Sequence, residues 1–179
     1  MEKDYGIPTS AAGNRLTSQP TERNLTMPTN FRFVLPRVPN AVYFCQSVSF
    51  PNTSCPQLNV ATGWMPLKLP GSEVSHENLT FTFLVDEDMT NYREIQGWFR
   101  KLLAMAYASE SVFPAKDWLN EQCQLIMLSN KKEPLIKFTF SGVFPTNLSA
   151  LSFDNTDTEG KFTTATVTLG FTYYRMESF

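Results

Sequence analysis

Residues 163–173 alternate without a break. Thr163, Ala165, Val167, Leu169, Phe171 and Tyr173 fall on one side, and Thr164, Thr166, Thr168, Gly170 and Thr172 on the other. Alternation with period two predicts one half-buried strand. Its polar side is almost wholly threonine and carries no charge. A strand face open to bulk water ordinarily carries Lys and Glu, and unprotected edge strands use charge to block association. Uncharged threonine suits a face that packs on a neighbour or lines a narrow space. Thr is also β-branched and forms stabilising cross-strand pairs, so a half-exposed strand of high β propensity is an equally direct reading.

The same period recurs upstream. In "NFRFVL", Phe31, Phe33 and Leu35 share a face; "PRVPN" reads as a turn, and "AVYFCQSVSF" as a second strand, which predicts a hairpin. Residues 57–61 read as a short strand. Residues 62–78, "TGWMPLKLPGSEVSHEN", are too long for a tight turn and too apolar for a solvent loop. In "LTFTFLVDED", Leu79, Phe81, Phe83 and Val85 line one side of a strand. From Asn91 to about Ala108 the period changes to that of a helix: Tyr92, Ile95, Phe99, Leu102 and Ala106, widened by Trp98 and Leu103. Asn91 and Glu94 resemble a capping box, and Asp86, Glu87 and Asp88 precede the positive end of the dipole. A loop containing Pro114 covers residues 109–121. "QLIMLS", "LIKFTFSGVF" and "ALSF" read as further strands. The sum is a β-rich α+β fold, an antiparallel β-sandwich or partial barrel of about seven strands with one flanking helix. Residues 1–28 differ in kind. Rich in Ser, Thr, Asn, Pro and Gly, they form an arm that alone cannot offset its ordering entropy, leaving 29–179 as the domain.

Composition narrows the function. The 179 residues suit one domain plus a tail, and a net charge of −2 gives no general grip on nucleic acid. Cys45, Cys55 and Cys123 are odd in number and lack C-x-x-C spacing, which argues against a disulfide framework and a zinc site and for reduced thiols in the cytoplasm. No apolar run approaches the ~20 residues of a membrane span. The start, "MEKDYG", has no apolar core of a signal peptide, so the sequons at Asn24, Asn52, Asn78 and Asn147 read as chance. The one histidine, His76, has no nucleophile motif beside it, and neither G-x-S-x-G nor H-E-x-x-H occurs. Asp154, Asp157 and Glu159 lack calcium-loop spacing and read as a solvated turn. No glycine-rich phosphate cradle and no basic cluster interleaved with aromatics is present. The expectation is a non-enzymatic protein with no catalytic residue, metal or cofactor, whose chemistry is surface.

Several stretches then form a recognisable order: the strand pair, the long segment with Lys68, Gly71 and its acid, the strand ending in "VDED", a helix containing "GWF", and above all "GVFPTNLSALSFD" followed by the alternating C-terminal run. Over residues 30–176 this order resembles the tail tube proteins of contractile-tailed, T-even-type bacteriophages, which are related to type VI secretion tube proteins. The resemblance implies a homo-oligomer: six copies in a ring, sheets joined into one barrel around a channel, and rings stacked into the tube through which the genome leaves the virion. It implies that the long segment reaches the next ring through Trp64, Met65, Leu67, Lys68 and Glu73. Thr164, Thr166, Thr168 and Thr172 would line the lumen or a subunit seam. The helix would face outward with Arg93, Arg100 and Lys101. The implied partners are the tail sheath protein, baseplate proteins and DNA that passes without sequence-specific binding. The implied place is the virion tail, assembled in the host bacterial cytoplasm. The arm is longer than the family suggests, and "WMP" is particular to this chain. A tube-initiating baseplate protein of the same fold is one alternative. A small-ligand-binding β-sandwich with Trp64 and Tyr173 as platform is another, of a different class.

Overall fold

The computed structural model describes residues 25–108, 121–153 and 160–179. Two four-stranded antiparallel sheets carry the fold. The first runs β1 (Phe31–Val34), β8 (Gln122–Leu128), β9 (Pro134–Ser141), β12 (Tyr173–Ser178). The second runs β10 (Phe144–Leu148), β11 (Thr164–Gly170), β7 (Leu79–Leu84), β2 (Cys45–Ser49). Their inner faces supply the core. Phe33, Leu125, Phe138 and Phe140 come from one sheet, and Leu79, Phe81, Phe83, Ala165, Val167 and Leu169 from the other. Phe33 and Phe81 meet with ring centroids 5.1 Å apart. Every second residue of β7 and β11 is buried, as period two demands. The β-rich, antiparallel expectation holds. Helix α2 (Thr90–Ala108) contributes Ile95 and Trp98 to the same core.

Three local expectations are corrected. The N-terminal hairpin does not form: β1 pairs with β8, and β2 pairs with β7. Between them lies a one-turn helix, α1 (Pro39–Tyr43). Pro39, with φ already set for a helix, opens it, and Ala41 is fully buried under it. This turn carries the chain from one sheet to the other. The C-terminal run is two strands, not one. β11 stays in the second sheet, Phe171 and Thr172 cross over, and β12 joins the first. The Thr172 N–H donates to the Ser141 carbonyl at 3.0 Å, so this threonine belongs to the crossover and not to the face of Thr164, Thr166 and Thr168. The "ALSF" stretch is not a strand; β10 ends at Leu148, with one more bond from the Ser149 N–H to the Thr166 carbonyl. Twelve strands appear among the described residues, four of them short ones within residues 53–76.

The capping box is also replaced. Glu94 accepts from Asn40 Nδ2 at 2.6 Å and so ties α2 to α1. Asn91 is fully buried and acts as a clasp. Its Nδ2 donates to the Leu84 carbonyl at 2.7 Å, and its Oδ1 accepts the Tyr92 N–H at 2.8 Å. The Asn91 N–H donates to Asp86 Oδ1 at 3.2 Å. The arm up to residue 24, the Pro114 loop, the Asp154–Glu159 turn and the side chain of Ala106 lie outside the described residues.

Candidate functional site

No strand of the second sheet contains a charged residue. Its outer face is a carpet of hydroxyls and amides. Register places Ser49, Thr80, Thr168 and Asn147 in one row across the sheet, and Ser47, Thr82 and Thr166 in the next. The Thr82 and Thr166 hydroxyls lie 3.0 Å apart and hydrogen-bond, and Thr146 Oγ1 donates to the Thr168 carbonyl at 3.0 Å. Three of the four predicted threonines thus share one face and are joined there by residues from three other strands. Sequence reading missed those because each row is assembled from distant segments. The edges matter equally. Edge strands β2 and β10 carry no charge, whereas β1 carries Arg32 and β12 carries Arg175 and Glu177. The first sheet has guarded edges and the second does not.

Residues 51–78 form an arm. β3 (Thr53–Ser54) pairs with β6 (Ser75–His76), and β4 (Gln57–Val60) pairs with β5 (Leu67–Pro70). Leu58 faces Leu69 and Val60 faces Leu67, which puts four apolar side chains on one side of the ladder. All four are exposed. The tip turn holds Trp64 and Met65, and Trp64 is fully exposed. Thr62 Oγ1 donates to the Met65 carbonyl there. Lys68 lies on β5 opposite Asn59, and Glu73 on the exposed return segment. Gly71 sits at a close crossing: its N–H donates to the Pro56 carbonyl at 2.7 Å, and a Cβ would lie 2.6 Å from that oxygen. His76 fastens the base. Its Nδ1 hydrogen-bonds Thr53 Oγ1 at 3.0 Å, and its ring stands 5.0 Å from Tyr174. Phe50 packs beside it on Phe138 and Tyr174. The predicted residues Trp64, Met65, Leu67, Lys68 and Glu73 therefore share a single projecting element.

A cavity of about 650 Å³ lies at the other end of the second sheet. Phe44, Leu84, Val85, Leu151, Phe153 and Phe162 give it an apolar wall, and Asp86 and Glu87 stand on its rim. Phe153 and Phe162 are largely exposed. It gathers residues from four separated segments, so sequence offered no signal beyond two phenylalanines off the alternating pattern. Arg93, Arg100 and Lys101 occupy the exposed face of α2. Tyr173, on β12, does not share an element with Trp64. Among the described residues no three His, Cys, Asp or Glu side chains group to hold a metal, and no helix is long and apolar enough to cross a membrane. Burial pushes the Cys45 thiol up to about 11, and burial, with Cys45 adding to it, raises Cys123 further.

Among the described residues the arm's apolar side chains are exposed, beside a sheet whose strands carry no charge, which are surfaces suited to contact with other chains rather than to catalysis. The chain belongs to the phage tail tube protein family, whose model matches residues 26–177. Solved structures agree on the fold. The sheath/tube terminator of the extracellular contractile injection system PVC, in its extended state, superposes with a TM-score of 0.61 at 20% identity, covering 87% of this chain and 99% of that one. The PVC sheath–tube complex gives 0.58 at 18%, covering 90% and 100%. The tube-terminating cap of the anti-feeding prophage gives 0.59 at 19%, covering 91% and 98%. No curated protein matches the chain.

Proposed function

We propose that six copies close into a ring by pairing β2 of one with β10 of the next. The second sheets then form a continuous barrel, with Thr164, Thr166 and Thr168 toward the channel. The observation that carries this reading is the charge asymmetry of the two sheets: the charge-free one has open edges, and closure removes edges. A hydroxyl wall without lysine or arginine offers DNA no counterion-releasing contacts, so the duplex slides through without being held, which DNA ejection requires. The arm, with Trp64, Met65, Leu67, Lys68 and Glu73, spans to the next ring. Arg93, Arg100 and Lys101 on α2 face the sheath protein, and residues 1–28 order against a neighbouring ring or a baseplate protein. Negative-stain microscopy tests it. Sixfold rings or hollow tubes are expected, and a concentrated protein that stays monomeric refutes it. The similarity to tube-terminating structures favours a second reading, a ring that begins or ends the tube; its mark is assembly that stops at one ring.

A further inference from the structure

The arm and the cavity sit at opposite ends of the same strands. β7 leaves the arm at Leu79 and reaches the cavity at Leu84, five residues on and roughly 17 Å away. β2 runs back from Phe44 at the cavity to the arm's base. One end therefore projects an indole and an apolar ladder, and the other presents an apolar hollow. Among the described residues, Trp64 at one end and Phe153 and Phe162 at the other are largely exposed. The charges match as well. Lys68 rides on the arm's ladder, and Asp86 and Glu87 stand on the hollow's rim.

We propose that the arm of one copy inserts Trp64 into the Phe44–Phe153–Phe162 cavity of the copy stacked on it, with Lys68 meeting Asp86 and Glu87. This rests on the stacking role given to the arm above and names its receptor. Donor and acceptor lie on different surfaces of one molecule, so the contact is heterologous and never closes on itself; it propagates as a filament. An indole buries a large area and brings an N–H that needs a polar partner, which the acidic rim supplies. The polarity is fixed: every arm points the same way along the tube, and the two tube ends differ. One end shows empty cavities, and the other shows bare arms.

Cross-linking tests the pairing in full-length protein. Met65→Cys, which keeps Trp64, and Phe162→Cys are made separately on a Cys55→Ser background, mixed, assembled and treated with a short bis-maleimide. A 65–162 link found by peptide mass spectrometry in tubes of the mixture, and absent from either variant alone, is the expected result. Tubes that form without this link overturn the receptor while leaving the stacking role intact. In a Met65→Cys/Phe162→Cys double variant on the same background, a link within single copies in dilute protein places the arm on its own body and also overturns it. Parent protein that never forms tubes removes the reading on which it rests. Charge reversal gives an independent check. Lys68→Glu and Glu87→Lys should each raise the concentration at which tubes appear by at least about tenfold, since one pair repeats in every copy of a ring. The double variant should return to within about threefold of the parent, and additive damage in the double variant refutes the pairing.

Discussion

Asn91 is the buried polar group on which the junction of β7 and α2 turns. Replacing it with alanine removes the donor to the Leu84 carbonyl and the acceptor for the Tyr92 N–H, at 2.7 and 2.8 Å. The contact to the Asp86 N–H, at 3.4 Å, is too long to count for much. Two hydrogen bonds at about 1 kcal/mol each are lost, and the backbone groups left behind in a site that excludes water add about 1 kcal/mol more. The sum is about 3 kcal/mol, within a range of roughly 2–4. Urea denaturation followed by tryptophan fluorescence reads it, at a protein concentration too low for subunits to associate, since association would add its own stabilisation. With a slope near 2 kcal/mol per molar urea, the midpoint should fall by roughly 1.5 M with the slope unchanged. Asn91→Asp separates the two bonds. It keeps an acceptor at the positive end of α2 but turns an oxygen toward the Leu84 carbonyl, so it too should lower the midpoint. A change below about 0.5 kcal/mol for Asn91→Ala would mean that water or a neighbouring side chain serves both groups, and the clasp would be refuted.

Three other perturbations probe separate surfaces. Gly71→Val forces a Cβ against the Pro56 carbonyl oxygen, where 2.6 Å is available. Protease nicking between residues 57 and 70 should rise and tubes should fail, while the urea midpoint of the body stays put; an intact, resistant arm would show that the crossing is compliant. Thr168→Lys sets an ammonium group in each copy on the hydroxyl face, so assembled tubes should retain polyanionic DNA in a salt-dependent way that the parent does not. Tubes that bind no more DNA than the parent exclude that face from the channel. Among the three cysteines, exposed Cys55 should react with a maleimide first at pH 8. Cys45, raised to about 11, is roughly one-thousandth thiolate there, and Cys123 is less ionised still, so both wait for unfolding. Three rapid equivalents from native protein would refute the burial.

What the sequence made legible follows from how each element is stabilised. β7 and β11 read clearly because each lies between two partners with one face on the core, so burial alone sets the pattern. α2 read clearly because it is long enough for Ile95 and Trp98 to show a period. α1 is five residues long, and its Val42 and Tyr43, with Phe44 just beyond, favour strand by propensity; only the burial of Ala41 and the proline start decide otherwise. The arm betrayed itself by apolar content, but Pro56, Pro66 and Pro70 concealed its ladder. The cavity left almost no trace, because Phe44, Leu84, Leu151 and Phe162 meet only in three dimensions.

The two unguarded features differ in what restrains them. An isolated two-stranded hairpin is marginal in water, and this one also exposes Leu58, Val60, Leu67 and Leu69. Burying such a side chain contributes about 1.5–3 kcal/mol, so a neighbour that covers the ladder offsets the entropy of ordering it and of joining the ring. In the proposed assembly, ring joining and arm ordering are one event, and a subunit in dilute solution carries its stability in the two sheets and the α2 that packs on them. The charge-free edges carry the opposite hazard, because they pair with any strand. β10 limits that. Pro145 brings no N–H, and the register slips between Pro145 and Asn147, so this edge offers only a short, irregular ladder. A strand from an unrelated chain finds little to bind there. In the proposed ring, a copy whose β2 is held at a fixed angle by its own body would meet that short ladder and the hydroxyl rows beside it together, so the geometry that restrains misassociation would also favour closure.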